Sequence, residues 1–140
     1  MGRGEVKLTA DSNILLRAIV QDDVQQARLA QEAMADAELI AIPLTVFCEF
    51  AWVASRLYKY SASEIADAIG VLVHSANVVT HQPAVEAGLA MLEAGGDFAD
   101  GVIAFEGKLL GADTLLTFDK QAARLIESQG GSAHLLTAAA

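Results

Sequence analysis

Short apolar runs of strand length alternate along this chain with longer stretches whose apolar residues recur at helical spacing, and nothing else in the sequence restricts the fold as much. Residues 6–11, 39–42, 77–81, 114–118 and 134–137 read as strands. A short helix is predicted over 14–20, and Asp22 with Gln25 resembles a capping box opening a helix that carries Val24, Ala27, Leu29, Ala30 and Met34. Helical spacing resumes at Val46, Phe50, Val53 and Leu57, and again at Ile65, Ala68, Ile69 and Leu72 behind the capping box Ser61-Ala62-Ser63-Glu64. Pro83 suits the first turn of another helix and Gly95-Gly96 its close, with further helices over 98–110 and 120–127. Strands separated by helices pair in parallel, because each connection must cross back over the sheet. The chain therefore predicts an α/β fold with a mainly parallel sheet. Ligands of such sheets bind beyond the carboxyl ends of the strands, which is where chemistry is to be sought.

At 140 residues the chain has the length of one domain, 1–140, with no linker, repeat or low-complexity segment; residues 138–140 are expected to fray. Hydrophobic residues make up 54% and charged ones 19%, a balance that excludes intrinsic disorder. A net charge of −9 excludes a basic nucleic-acid grip, although an acidic protein can act on RNA where metal ions and a few local cations handle the phosphates. The single Cys48 has no internal disulfide partner, which suits a reducing, cytoplasmic setting. No apolar segment follows Met1-Gly2-Arg3-Gly4-Glu5-Val6, so no secretory signal is expected. The weakly charged stretch 39–55 contains Pro43 and Glu49, against a membrane span.

Acidic residues gather where the strands end. Asp11 directly follows the first strand and Asp119 the fourth, so both point from the edge that carries sites in open α/β sheets. Each could equally cap the helix after it. Glu49 lies on a helix with Thr45 and Val46 one turn before it, Trp52 and Val53 one turn after, and no Lys or Arg within a turn. A carboxylate in apolar surroundings is costly unless paired, protonated or bound to metal; the alternative is a Glu facing solvent at a helix seam. Asp97 and Asp100, three apart, share one face of a helix start. Asp97 could be a simple N-cap, while Asp100 has apolar Val102, Ile103 and Phe105 around it.

Several carboxylates brought to one cleft repel one another without a counter-ion. An oxygen-only donor set favours Mg²⁺ or Mn²⁺, and zinc is disfavoured because His74, His81 and His134 lack ligand spacing and Cys48 has no partner. Carboxylate-held Mg²⁺ serves phosphate chemistry. The sequence has no Gly-x-Ser-x-Gly elbow, no P-loop and no Gly-x-Gly-x-x-Gly.

Four segments, Ala10-Asp11-Ser12-Asn13-Ile14-Leu15-Leu16-Arg17, then Ile42-Pro43-Leu44-Thr45-Val46-Phe47-Cys48-Glu49-Phe50-Ala51-Trp52-Val53, Asp97-Phe98-Ala99-Asp100-Gly101-Val102-Ile103-Ala104, and Leu116-Thr117-Phe118-Asp119, resemble in order and spacing the PIN-domain family of metal-dependent ribonucleases. More narrowly they resemble VapC-type toxins of type II toxin–antitoxin systems. The resemblance spans residues 6 to about 137. It implies a three-layer α/β/α sandwich around a mainly parallel central sheet, and Mg²⁺ (or Mn²⁺) held by Asp11, Glu49, Asp100 and Asp119. Asp97 would be auxiliary, and Asn13 and Thr117 polar neighbours of the site. It implies an endoribonuclease that cleaves RNA, a homodimer, and a small antitoxin whose tail lies over the active groove. Gly101-Val102 departs from the family's more usual Ala-Leu. Arg17, Lys120 and Arg124 follow the strand-end acids and could hold an RNA backbone, or could be solvated helix faces.

Two rival readings compete. A non-catalytic PIN-like scaffold binding protein or RNA would have no use for mutually repelling carboxylates. A receiver-like phosphoacceptor would gather aspartates at strand ends, yet here the second acid falls on a helix.

Overall fold

A computed structural model describes residues 6–138. The expectations for the first five residues and for fraying of Ala139 and Ala140 lie outside the described residues. Contacts along the chain divide it into two compact units, Met1–Gln82 and Pro83–Ala140.

The first unit contains β1 (Lys7–Thr9), α1 (Ser12–Val20), α2 (Val24–Asp36), β2 (Leu39–Ala41), α3 (Leu44–Arg56), α4 (Ala62–Val73) and β3 (Val78–Val79). Its strands pair in the order β1-β2-β3, all parallel, with Leu8 opposite Ile40 and Ile40 opposite Val78. Each connection passes through a pair of helices. The amphipathic helices turn Leu15, Phe47, Phe50, Ile65 and Ile69 inward, and Ile40 and Ile42 are buried with them. Asn77 Nδ2 donates to the carbonyls of Met34 (2.7 Å) and Ala37 (3.0 Å), tying the approach to β3 to the end of α2.

The second unit contains α5 (Gln82–Glu93), α6 (Phe98–Leu109), β4 (Thr114–Thr117), α7 (Lys120–Ser128) and β5 (Ser132–Leu135). β4 and β5 pair in parallel, Thr114 opposite Ser132 through Thr117 opposite Leu135. Met91, Leu125 and Ile126 form a buried cluster with Ala104, Leu115 and Ala133 packed against it. The chain is thus α/β with parallel strands, as its alternating pattern predicts.

Local punctuation behaves largely as read. The Ser61–Glu64 capping box is formed reciprocally: Ser61 Oγ accepts from the Glu64 N–H (3.1 Å), and Glu64 Oε1 accepts from the Ser61 N–H (2.9 Å). Gly95, left-handed at φ 99°, closes α5; its N–H donates to Leu92 O (3.1 Å) and that of Gly96 to Met91 O (2.9 Å), a Schellman ending.

Element boundaries shift by a residue or two from the sequence reading, and two of these shifts have a visible cause. α2 is capped by Asp23, whose Oδ1 accepts from the Gln26 N–H (3.1 Å), and not by Asp22 with Gln25. Asp22 is drawn away by Arg17, whose Nη1 stands 2.8 Å from its Oδ1. The last strand covers Ser132–Leu135 and not residues 134–137. Gly130 takes a left-handed φ of 86° and the Gly131 N–H returns to Ile126 O (2.9 Å), so α7 closes sharply and the chain enters the sheet at once.

Candidate functional site

Asp11 follows β1 as the N-cap of α1, its Oδ1 accepting from the Ile14 N–H at 3.0 Å. Asp119 repeats this after β4, capping α7 with Oδ1 on the Ala122 N–H at 3.0 Å. The capping role that the sequence left open is therefore filled at both positions. It uses one oxygen of each carboxylate, on residues that are both exposed. Thr117 contributes to this geometry: its Oγ1 accepts from the Asp119 N–H at 3.0 Å and fixes the turn out of β4.

Glu49 corrects an expectation. Its side chain is exposed and not buried among apolar neighbours, because α3 turns Phe47, Phe50, Ala51 and Ala54 inward and carries Glu49 on the opposite side. Its partner is a hydroxyl: Ser12 Oγ donates to Glu49 Oε1 at 2.7 Å. Ser12 immediately follows Asp11, so the first unit brings Asp11 and Glu49 to one edge of its sheet. Ser12 lies outside the sequence-predicted site residues, although a hydroxyl directly after a strand-end acid is the signal that finds it. Asn13, next in line, is exposed.

In the second unit Asp97 occupies the N-cap position of α6 without making a side-chain cap bond, unlike Asp11 and Asp119. Asp100, in the first turn, is half-buried. Burial pushes its carboxyl above the usual Asp range, and the negative charges of Asp97 and Asp119 push it further. Asp100 thus feels both of its acidic neighbours. Gln121 Nε2 reaches the Gly95 carbonyl at 2.9 Å and ties the loop before Asp97 to the start of α7. Gly101, the departure from the usual family pattern, has a structural cause. A Cβ there would collide with the Ala87 carbonyl and Gly88 Cα of α5, so only glycine allows this approach beside Asp100. A cavity of about 240 Å³ in the same unit, lined by Gly101, Ala104, Leu115 and Ile126 among others, includes none of the three acids.

Of the basic residues considered, Arg17 is occupied structurally. Its Nη1 binds Asp22 (2.8 Å) and its Nη2 donates to Tyr58 Oη (3.0 Å), so it is not a free phosphate contact. Lys120 and Arg124 are exposed on α7. Of the histidines, His74 caps α4 and stands 2.7 Å from the Gly70 carbonyl through Nδ1. His81 and His134 are exposed.

A profile of the PIN domain matches residues 9–127, which includes all five acids and the larger part of the chain. The chain belongs to the PIN-domain family. PIN domains are typically nucleases that use divalent metal ions, and the parallel strands and seven helices of the described residues agree with the family's α/β sandwich. No curated protein matches the chain. Among the described residues, no group of three or more His, Cys, Asp or Glu side chains is disposed to hold a metal ion. The donor chemistry nonetheless fits a hard divalent cation. It is oxygen-only in each unit, and the repulsion felt at Asp100 is of the kind that a divalent charge offsets.

Proposed function

We propose that this PIN-domain protein is an endoribonuclease dependent on Mg²⁺ or Mn²⁺, that it acts as the toxin of a type II toxin–antitoxin pair in the cytoplasm, and that residues 1–140 form one PIN-like domain. The observation that most supports this is the disposition of the acids. Asp11 and Glu49 are joined through Ser12, and Asp100 feels the charges of Asp97 and Asp119, all within the span of a nuclease family. The narrower toxin reading rests on the four ordered motifs and their likeness to VapC-type toxins.

Asp11, Glu49, Asp100 and Asp119 would hold the cation, with Asp97 auxiliary; bound there, it supplies water activation and neutralisation of phosphate charge. The remaining work belongs to the chain. Helix caps fix the Asp11 and Asp119 side chains by one oxygen, so that the other is presented in a defined direction. Ser12 holds Glu49 Oε1. Burial and the neighbouring negative charges let Asp100 keep its proton to higher pH than an isolated aspartate. Lys120 and Arg124 supply exposed cations for the RNA backbone. An antitoxin tail inhibits this anionic site by presenting Arg or Lys to it.

The test is cleavage of RNA by the purified protein. EDTA should silence it and Mg²⁺ or Mn²⁺ restore it. Asp11→Asn, Glu49→Gln and Asp100→Asn should each lower the rate by orders of magnitude, with Asp97→Asn milder. Expression alone should arrest growth, and co-expression of the cognate partner should relieve it. Full activity in EDTA, free of contaminating nuclease, ends this proposal.

A further inference from the structure

Thr45, Glu49, Trp52 and Arg56 are all exposed on α3. At 3.6 residues per turn they fall within roughly 60° of arc, and the ~1.5 Å rise puts Trp52 ~4.5 Å and Arg56 ~10 Å along the axis from Glu49. The stripe therefore reads carboxylate, indole, guanidinium. Trp52 is 58% exposed, a large aromatic face left open to water. The Arg56 guanidinium carbon stands 5.7 Å from the indole centroid. Among the described residues Arg56 has no carboxylate partner, in a chain where acids outnumber bases eighteen to nine.

An isolated apolar contact would favour aliphatic neighbours for the indole along the stripe; here its neighbours are a carboxylate and a free guanidinium. That alternation matches a nucleotide, whose base has a π-face and whose phosphate is an anion. We infer that Trp52 and Arg56 form a platform for single-stranded RNA, a base stacking on the indole and an adjacent phosphate meeting the guanidinium, about one helical turn from Glu49. This rests on the nuclease reading for its substrate class and adds the preference for unpaired strands. Bases inside a duplex are stacked on one another and offer no free face to Trp52.

Trp52 is the one tryptophan of the chain, so its emission reports on the platform directly. The full-length protein is titrated with a short single-stranded oligouridylate, in EDTA and in Mg²⁺, and separately with a duplex RNA. Saturable quenching by the single strand in either buffer, with much weaker quenching by the duplex, is the expected result. By anisotropy of a labelled strand, Trp52→Ala should weaken binding about fivefold or more, and Trp52→Phe should recover most of the loss. Arg56→Ala should weaken it several-fold and lower the salt slope by about one. Quenching without cleavage would leave the platform standing and remove the nuclease reading. Cleavage of the same strand without quenching would do the reverse. An emission shift that follows protein concentration in the absence of RNA assigns the indole to a second copy of the chain and overturns the platform.

Discussion

Glu49 and Asp100 are both acids on helices, yet the structure gives them different physics. Glu49 is exposed, and its contact with Ser12 needs only an acceptor oxygen, which glutamine also has. Glu49→Gln should therefore leave the melting temperature of the metal-free protein unchanged or slightly raised while abolishing cleavage. Millimolar Mg²⁺ should stabilise the wild type by mass action, about 2.7 kcal/mol at a hundredfold excess over Kd, and the variant much less. An equal metal-induced shift in both melting curves removes Glu49 from the ligand set. Asp100 has its carboxyl raised, first by burial and then by Asp97 and Asp119. A raised folded pKa makes the folded state bind the proton more tightly than the unfolded one. The group's favourable contribution is thus present at acid pH and is lost as pH rises through its folded pKa. Metal-free Asp100→Asn should melt above wild type at neutral pH, and the difference should shrink as pH falls through the carboxylate range. A difference independent of pH would show that like-charge repulsion and desolvation of the charged form are not what Asp100 experiences.

At the scale of the element, Asp11 and Asp119 carry two duties that substitution can separate. Asparagine caps as well as aspartate, whereas alanine leaves the Ile14 or Ala122 N–H unsatisfied. Asp11→Asn should keep stability within a few tenths of a kcal/mol and lose cleavage; Asp11→Ala should lose cleavage and about 1 kcal/mol besides, measured by denaturant midpoint. If both variants cleave normally, Asp11 is a cap and nothing more. These acids were legible in the sequence because apolar runs end abruptly at them, and the α/β class was legible for the same reason. What the sequence hid was decided by tertiary contact. Asp22 and Asp23 are equivalent as caps until the Arg17 guanidinium claims the first. The start of β5 depends on how α7 closes at Gly130 and on register with β4, neither visible in a local window. The face on which Glu49 lies depends on what covers α3, so apolar neighbours in sequence suggested a burial that the packed helix does not have.

For the molecule as a whole, the surplus of apolar residues is partly spent on the surface. No helix among the described residues is long and apolar enough to cross a membrane, yet Leu110 is 89% exposed and Phe118 72%, with Ile103, Leu109 and Leu116 also open in the second unit. Exposed apolar surface of this kind commonly marks an interface. The homodimer that the family resemblance implies would cover it. In a two-fold interface every substitution is made twice, and burying a leucine is worth about 1.5–3 kcal/mol. Removing two such contacts from one dimer would thus cost at least about 3 kcal/mol, which is more than a hundredfold in the dimer dissociation constant. Leu110 lies just past the end of α6 and little of its surface is committed to the core, so Leu110→Glu should fold normally. Sedimentation velocity at micromolar concentration should find a dimer for the wild type and a monomer for Leu110→Glu, with unchanged melting of the monomer fold. A wild type that sediments as a monomer across that range would assign the open leucines and Phe118 to a different protein partner, and the body of the proposed antitoxin is then the occupant to test by co-purification.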